Sequence, residues 1–209
     1  MAVLSGLGPG VQYAGAAEEA KSPAEMSPEE QNKKALEAFQ NILDLSESGE
    51  RRQILPRLEA AYHDLIGSYP KANLVHEACW RLLQIYINDY QPPAFDKAEK
   101  LRAEFYGNYP DSRLKDLIDR TLADGYARHG KWDKVLALFA PSIKQSIESG
   151  KFTRVYDIFM YSEAKYKLGD LAEAEKGYRI VTTTFPDTRH GAIAKTRLEE
   201  IDKKKPKQQ

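Results

Sequence analysis

Only one cysteine, Cys79, occurs in the 209 residues, so no intrachain disulfide can form. Charge of one sign is also missing. The 31 basic residues match the 31 acidic ones, which argues against a nucleic-acid module with its net basic face. No run of about 18 apolar residues exists, so no segment reads as a membrane span. Mean hydropathy is −0.60, while hydrophobic residues still make up 42% of the chain, enough for the core of one domain.

Catalytic patterns are absent as well. There is no G-x-x-x-x-G-K-S/T, no G-x-S-x-G and no H-E-x-x-H. His63, His76, His129 and His190 fall on different helical units. His76 and Cys79 lie three apart on one predicted helix, but two ligands do not close a zinc site. Cys79 reads as a small buried residue. Gly6-Leu7-Gly8-Pro9-Gly10 precedes no strand or phosphate-binding helix. Adjacent acids such as Glu29-Glu30 and Glu199-Glu200 point about 100° apart on a helix, so they read as solvated faces. The expectation is therefore no catalytic residue, no cofactor, no metal and no enzyme activity.

What is present is helical periodicity. From Arg154 to Pro186, Tyr156, Ile158, Phe159, Tyr161, Ala164 and Leu168 recur at helical spacing. Gly169-Asp170 breaks the pattern. Leu171, Ala174, Tyr178 and Val181 then resume it, and Phe185-Pro186 ends it. This is a helix–turn–helix hairpin of roughly 34 residues, one unit of a helical repeat. Ser162, Gly169, Asp170, Ala174, Tyr178 and Pro186 stand where a tetratricopeptide repeat has its small residue, turn, small helix-B residue, aromatic and closing proline. The chain here resembles that family. Ile158 and Lys165 depart from its aromatic positions.

The register recurs. Pro70 and Pro110 are 40 residues apart, and Pro110 and Pro186 are 76 apart, with Gly150 marking the middle. Ala98 precedes Pro110, and Ala174 precedes Pro186, by the same 12 residues. Predicted helices run Pro28–Ser46, Glu50–Gly67, Leu74–Asn88, Ala94–Tyr106, Ser112–His129 and Trp132–Ile147. The two of the hairpin above follow, then Thr188–Lys203. Ser27, Pro28 and Glu30 form a capping box. Leu36, Phe39, Ile42 and Leu43 are predicted to face inward in the first helix. Asn73 is predicted to cap the third. Pro56 is predicted to delay or kink its helix, and Pro141 to kink or split its own.

The expected architecture is all-α: a right-handed α-solenoid of about four tetratricopeptide-like hairpins over residues 27–203, with a C-terminal capping helix. Residues 1–26 read as a leader and linker, and residues 204–209 as a frayed basic tail. Ala14-Gly15-Ala16 fits a signal-peptidase pattern, but no Lys or Arg precedes the apolar part and Pro9 interrupts it. A signal peptide, a disordered leader and a cloning remnant all remain open readings.

The long units and their Tyr/Phe-Pro endings resemble tetratricopeptide proteins of the bacterial envelope, of the outer-membrane assembly lipoprotein and Tol–Pal coordinator type. No cysteine is available for a lipid anchor in the leader. The resemblance implies a groove, lined by the first helix of each hairpin, that binds a protein or peptide segment. Mapped onto this chain, its positions are Glu77, Trp80, Gln84 and Ile87, then Leu117, Arg120 and Asp124, then Tyr156, Phe159, Glu163 and Tyr166. About two-thirds of the tyrosines are expected to pack in the core. The resemblance implies a non-enzymatic adaptor, periplasmic or otherwise exported. The alternatives are a cytoplasmic protein and an accessory subunit of an envelope enzyme, such as one processing peptidoglycan.

Overall fold

The computed structural model describes Ser22 and residues 25–204. The Ala14-Gly15-Ala16 pattern, most of the leader and residues 205–209 lie outside it. Among the described residues there are nine helices and no strand. They are α1 Pro28–Glu47, α2 Arg51–Ser68, α3 Leu74–Asn88, α4 Phe95–Asn108, α5 Lys115–Arg128, α6 Trp132–Ser149, α7 Val155–Lys167, α8 Leu171–Thr184 and α9 Arg189–Lys204.

Local chemistry sets most of the boundaries. The Ser27 hydroxyl accepts from the Glu30 amide, and the Glu30 carboxylate accepts from the Ser27 amide. Two otherwise unpaired donors are thereby satisfied. Asp170 caps α8 in the same way through the Glu173 amide. Gly169, with φ at 89°, makes the left-handed turn between α7 and α8 that a side chain would oppose. Gly150 ends α6 in the left-handed region. Asn73 departs from expectation: it precedes α3 in a helical conformation, and its side chain makes no capping bond.

Pro56 and Pro141 neither split nor end their helices, for α2 and α6 run through them. Each ring removes the bond to the carbonyl four residues back. Those carbonyls belong to Arg52 and Ala137, both exposed like the prolines themselves. Water can take the freed acceptors, so the cost stays local.

Each helix packs on the next along the chain. In addition α1 packs on α3, α3 on α5, and α7 on α9. One apolar cluster runs from Ala35 of α1 to Ile201 of α9 through Leu58, Leu82, Tyr86, Phe105, Leu122, Phe139 and Tyr178. No hairpin could bury its stripe alone, which is why the units must stack. Leu36 is a correction: it is 60% exposed, and Ala35 points inward instead. Among the described residues α1 packs on α2 and α3, and Leu36 is not part of the cluster they form. Every described tyrosine packs in or against the core, more than the two-thirds expected.

Two junctions repeat the same polar contact. Glu59 of α2 accepts from the Tyr86 hydroxyl of α3 at 3.0 Å and from Lys97 of α4 at 2.8 Å. Glu99 of α4 accepts from the Tyr126 hydroxyl of α5 at 2.5 Å and from Lys134 of α6 at 3.1 Å. Tyr90 also donates to Glu59. Burial alone would raise both glutamate pKa values. The donors outweigh it, Lys97 first for Glu59 and Tyr126 first for Glu99, and hold both below the usual carboxylate range. At the α6–α8 junction the series stops. Tyr166 bonds forward instead, to Glu200 of α9.

Cys79 is buried, and burial pushes its thiol up to about 12. Thiolate is the reactive form. The native protein is therefore expected to resist an aromatic disulfide reagent at pH 8 and to react fully once unfolded in urea. Rapid labelling of the folded chain would contradict the packing of α3.

Candidate interaction surface

The odd-numbered helices form a continuous row joined by side chains. From α3 to α5, the Trp80 indole N–H donates to Thr121 Oγ1 at 3.0 Å. The Thr121 hydroxyl in turn donates to the Leu117 carbonyl at 2.8 Å, so the indole is fixed in place. His76 Nδ1 and the Ser112 hydroxyl share a hydrogen bond of 3.1 Å on the same seam.

The α5–α7 seam differs, because long side chains span it. The Tyr156 hydroxyl donates to Asp124 Oδ1 at 2.5 Å. The Arg120 guanidinium lies 5.1 Å from the Tyr156 ring centre, a cation–π contact. Arg154 pairs with Asp116 at 2.9 Å. From α7 to α9, the His190 ring contacts Phe159 at 4.8 Å and Tyr156 at 6.0 Å between centroids. Arg197 of α9 pairs with Glu163 of α7 at 2.7 Å.

The residues expected to line a groove divide into three groups. Arg120 and Asp124 are exposed. Glu77, Trp80, Gln84, Leu117, Tyr156 and Tyr166 are half-buried, with an accessible edge. Glu77 is paired with Arg81 at 2.8 Å, and Gln84 borders a cleft with Arg51, Arg81 and Asp89. Phe159, Glu163 and Ile87 are buried and are corrections to the surface set. Phe159 and Glu163 are covered because α8 and α9 both stack on α7. Glu163 is tolerated inside because the Tyr178 hydroxyl donates to it at 2.7 Å and Arg197 neutralises it.

His76, His190 and Tyr156 on this row are held neutral. Burial lowers the pKa of His76, and burial followed by Arg189 and Arg120 lowers that of His190. Both rings are uncharged at pH 7. Burial, then the bond to Asp124, raises the Tyr156 phenol. On the accessible part Arg120 and Asp124 both contact Tyr156, and the Glu77–Arg81 and Asp116–Arg154 pairs add further charge.

Sequence reasoning missed Glu59, Lys97, Glu99 and Lys134. A usable signal was present: Glu59 to Tyr86 and Glu99 to Tyr126 are both 27 residues apart. It missed Arg197 and His190 too. Both lie in the last helix, which was expected only to cap the stack. Among the described residues, no group of three or more His, Cys, Asp or Glu is placed to hold a metal, and no helix is long and apolar enough to cross a membrane. No protein-family model, no curated protein and no solved structure matches the chain.

Proposed function

We propose that the chain is a non-enzymatic adaptor, a right-handed α-solenoid of tetratricopeptide-like hairpins whose odd-helix wall holds a segment of a protein partner. The carrying observation is that wall. It is bridged side chain to side chain from α3 to α9 through contacts that include Trp80, Arg120, Asp124, Tyr156 and Tyr166. Contacts between odd helices at α1–α3, α3–α5 and α7–α9 have no counterpart of that weight between even helices. Closer approach on one side bends a stack toward that side, so the odd helices line the inner wall. Exposed Arg beside fixed aromatic rings is the composition of binding hot spots.

A photo-crosslinking residue at position 124 tests this in the native cell. It should give one discrete adduct, absent in an Arg120→Glu background and absent when the crosslinker sits at position 100 on the opposite side. Equal labelling from both positions would reject the wall as the binding face. The proposed placement in the bacterial envelope rests on the resemblance in repeat length and on Ala14-Gly15-Ala16. Sequencing the N-terminus of the protein from its own cell checks it, with a start at Ala17 expected.

A further inference from the structure

The stack is thinnest between α5 and α6. Among the described residues only these two helices pack closely across that level, and of the successive odd helices α5 and α7 pack least closely. On either side the packing is dense. In the second half, α6, α7 and α8 each bear on the next helix, and α9 reaches back to α7. In the first half, α3 ties α1, α2, α4 and α5 together. The side-chain bonds that cross the thin level are polar. On the odd-helix side Arg154 NH1 pairs with Asp116 of α5 at 2.9 Å, and the Tyr156 hydroxyl donates to Asp124 of α5 at 2.5 Å. On the even-helix side Lys134 of α6 pairs with Glu99 of α4 at 3.1 Å.

The odd-side bonds are firm at one end and loose at the other. Asp157 is only 2% exposed, and Arg154 Nε lies 3.0 Å from its Oδ2, so the arginine belongs with α7. Its partner across the seam, Asp116, has a side chain that is 52% exposed. Asp124 is exposed too. Water can therefore take over the α5 end of both bonds. Exposed ion pairs hold weakly, and salt weakens them further. A packed helix pair such as α5 and α6 can act as an axle, because small sliding shifts turn it without opening the core. Segments joined by few buried contacts are the ones that move first. We propose that the chain is two rigid bodies, α1–α5 and α6–α9, hinged on the α5–α6 packing. Arg154 with Asp116, and Tyr156 with Asp124, form a latch that keeps the odd-helix side of the joint closed. Lys134 with Glu99 is the strap on the opposite side. Opening carries Tyr166 on α7 away from Trp80 on α3. The latch consists of contacts within the chain, so it stands whether or not the wall holds a partner.

Distances between spin labels on introduced cysteines test this in the full chain. The buried Cys79 thiol stays unlabelled while the protein is folded. Asn41→Cys with Lys195→Cys spans the joint. Asn41→Cys with Ala103→Cys lies within the first body, and Gln145→Cys with Lys195→Cys within the second. All of these positions are exposed. At low salt every pair should give a narrow distribution. Tyr156→Phe combined with Asp116→Asn removes the latch but keeps the Tyr156 ring and the Arg154–Asp157 pair. In that variant the spanning pair should shift or broaden by more than about 2 Å, while both pairs within a body stay as they were. The parent chain should respond in the same way in about 1 M salt, where the screening length is about 3 Å. The salt arm gives the answer even if the variant folds poorly. A spanning distance that stays narrow and unmoved in both arms overturns the hinge. Equal broadening within the bodies overturns it too, since that is general loosening and not rotation about a joint.

Discussion

Gly177→Ala should destabilise the protein by about 2–3 kcal/mol, lowering its melting temperature by roughly 5–10 °C. The sign is the point. On an open helix the same change adds up to about 1 kcal/mol, because alanine is the better helix former. Here a Cβ at position 177 would meet Ser162 Oγ at 2.0 Å and Ser162 Cβ at 3.1 Å. Ser162 is itself fully buried, and its hydroxyl donates to the Ile158 carbonyl at 2.7 Å. It cannot rotate away without giving up that bond. The α7 and α8 axes must therefore separate, and the core contacts on both sides loosen. Removing the hydroxyl with Ser162→Ala in the Gly177→Ala background should recover most of the loss. The 3.1 Å contact that remains asks for only a small shift. Urea melts followed at 222 nm give all three values. A midpoint that rises in Gly177→Ala would show that α7 and α8 do not approach this closely.

The protein should also unfold cooperatively between about pH 10 and pH 12. Tyr86, Tyr126 and Tyr178 are buried, and each donates its hydroxyl to a carboxylate, Glu59, Glu99 and Glu163 in turn. Burial first, then that carboxylate, raises all three phenols well above their ordinary range. Tyr90 and Tyr109, less deeply placed, are pushed up to about 12. In the unfolded chain these groups ionise near pH 10. Above that pH the unfolded state binds fewer protons than the folded one, so stability falls as pH rises. The stability they confer is whole below pH 10 and drains away above it. The three buried tyrosines alone cost roughly 4 kcal/mol at pH 11, a large part of a normal domain's stability. The absorbance of tyrosinate at 295 nm should therefore rise in one step, together with the loss of helix signal. Phenols that titrate smoothly near pH 10 with the helices intact would contradict their burial.

Much of the fold was legible because it is punctuated. Apolar residues at helical spacing set each helix, and Pro70, Pro110, Gly150, Gly169 and Pro186 set where one ends. The bounds of α3 and α8 follow directly from that pattern. Pro141 misled it where a split was expected, for α6 runs through it. Sequence shows that a ring removes a bond, but not that the freed carbonyl faces water. Leu36 misled it for a related reason. A stripe of apolar residues is wider than the surface one neighbour can cover, and among the described residues Leu36 lies outside what α2 and α3 cover.

The proposed interaction wall was half legible. Trp80, Arg120, Asp124 and Tyr156 could be placed on the first helices of their hairpins from the register alone. Phe159 and Glu163 share the same register and are buried, because α9 stacks against α7 just where they lie. The period of a helix identifies its faces, not which of them a distant helix will cover.

Local forces act between residues a few places apart, so the sequence alone determined the helices among the described residues and most of their apolar stripes, with their ends good to a few residues. Burial of charge is decided by partners that converge from far along the chain: Tyr178 and Arg197 reach Glu163 from 15 and 34 residues away. That convergence, the close contact of Gly177 with Ser162, and the reach of Arg154 and Tyr156 to α5 exist only once the helices are stacked. Each depends on distances between helix axes, which no local pattern carries.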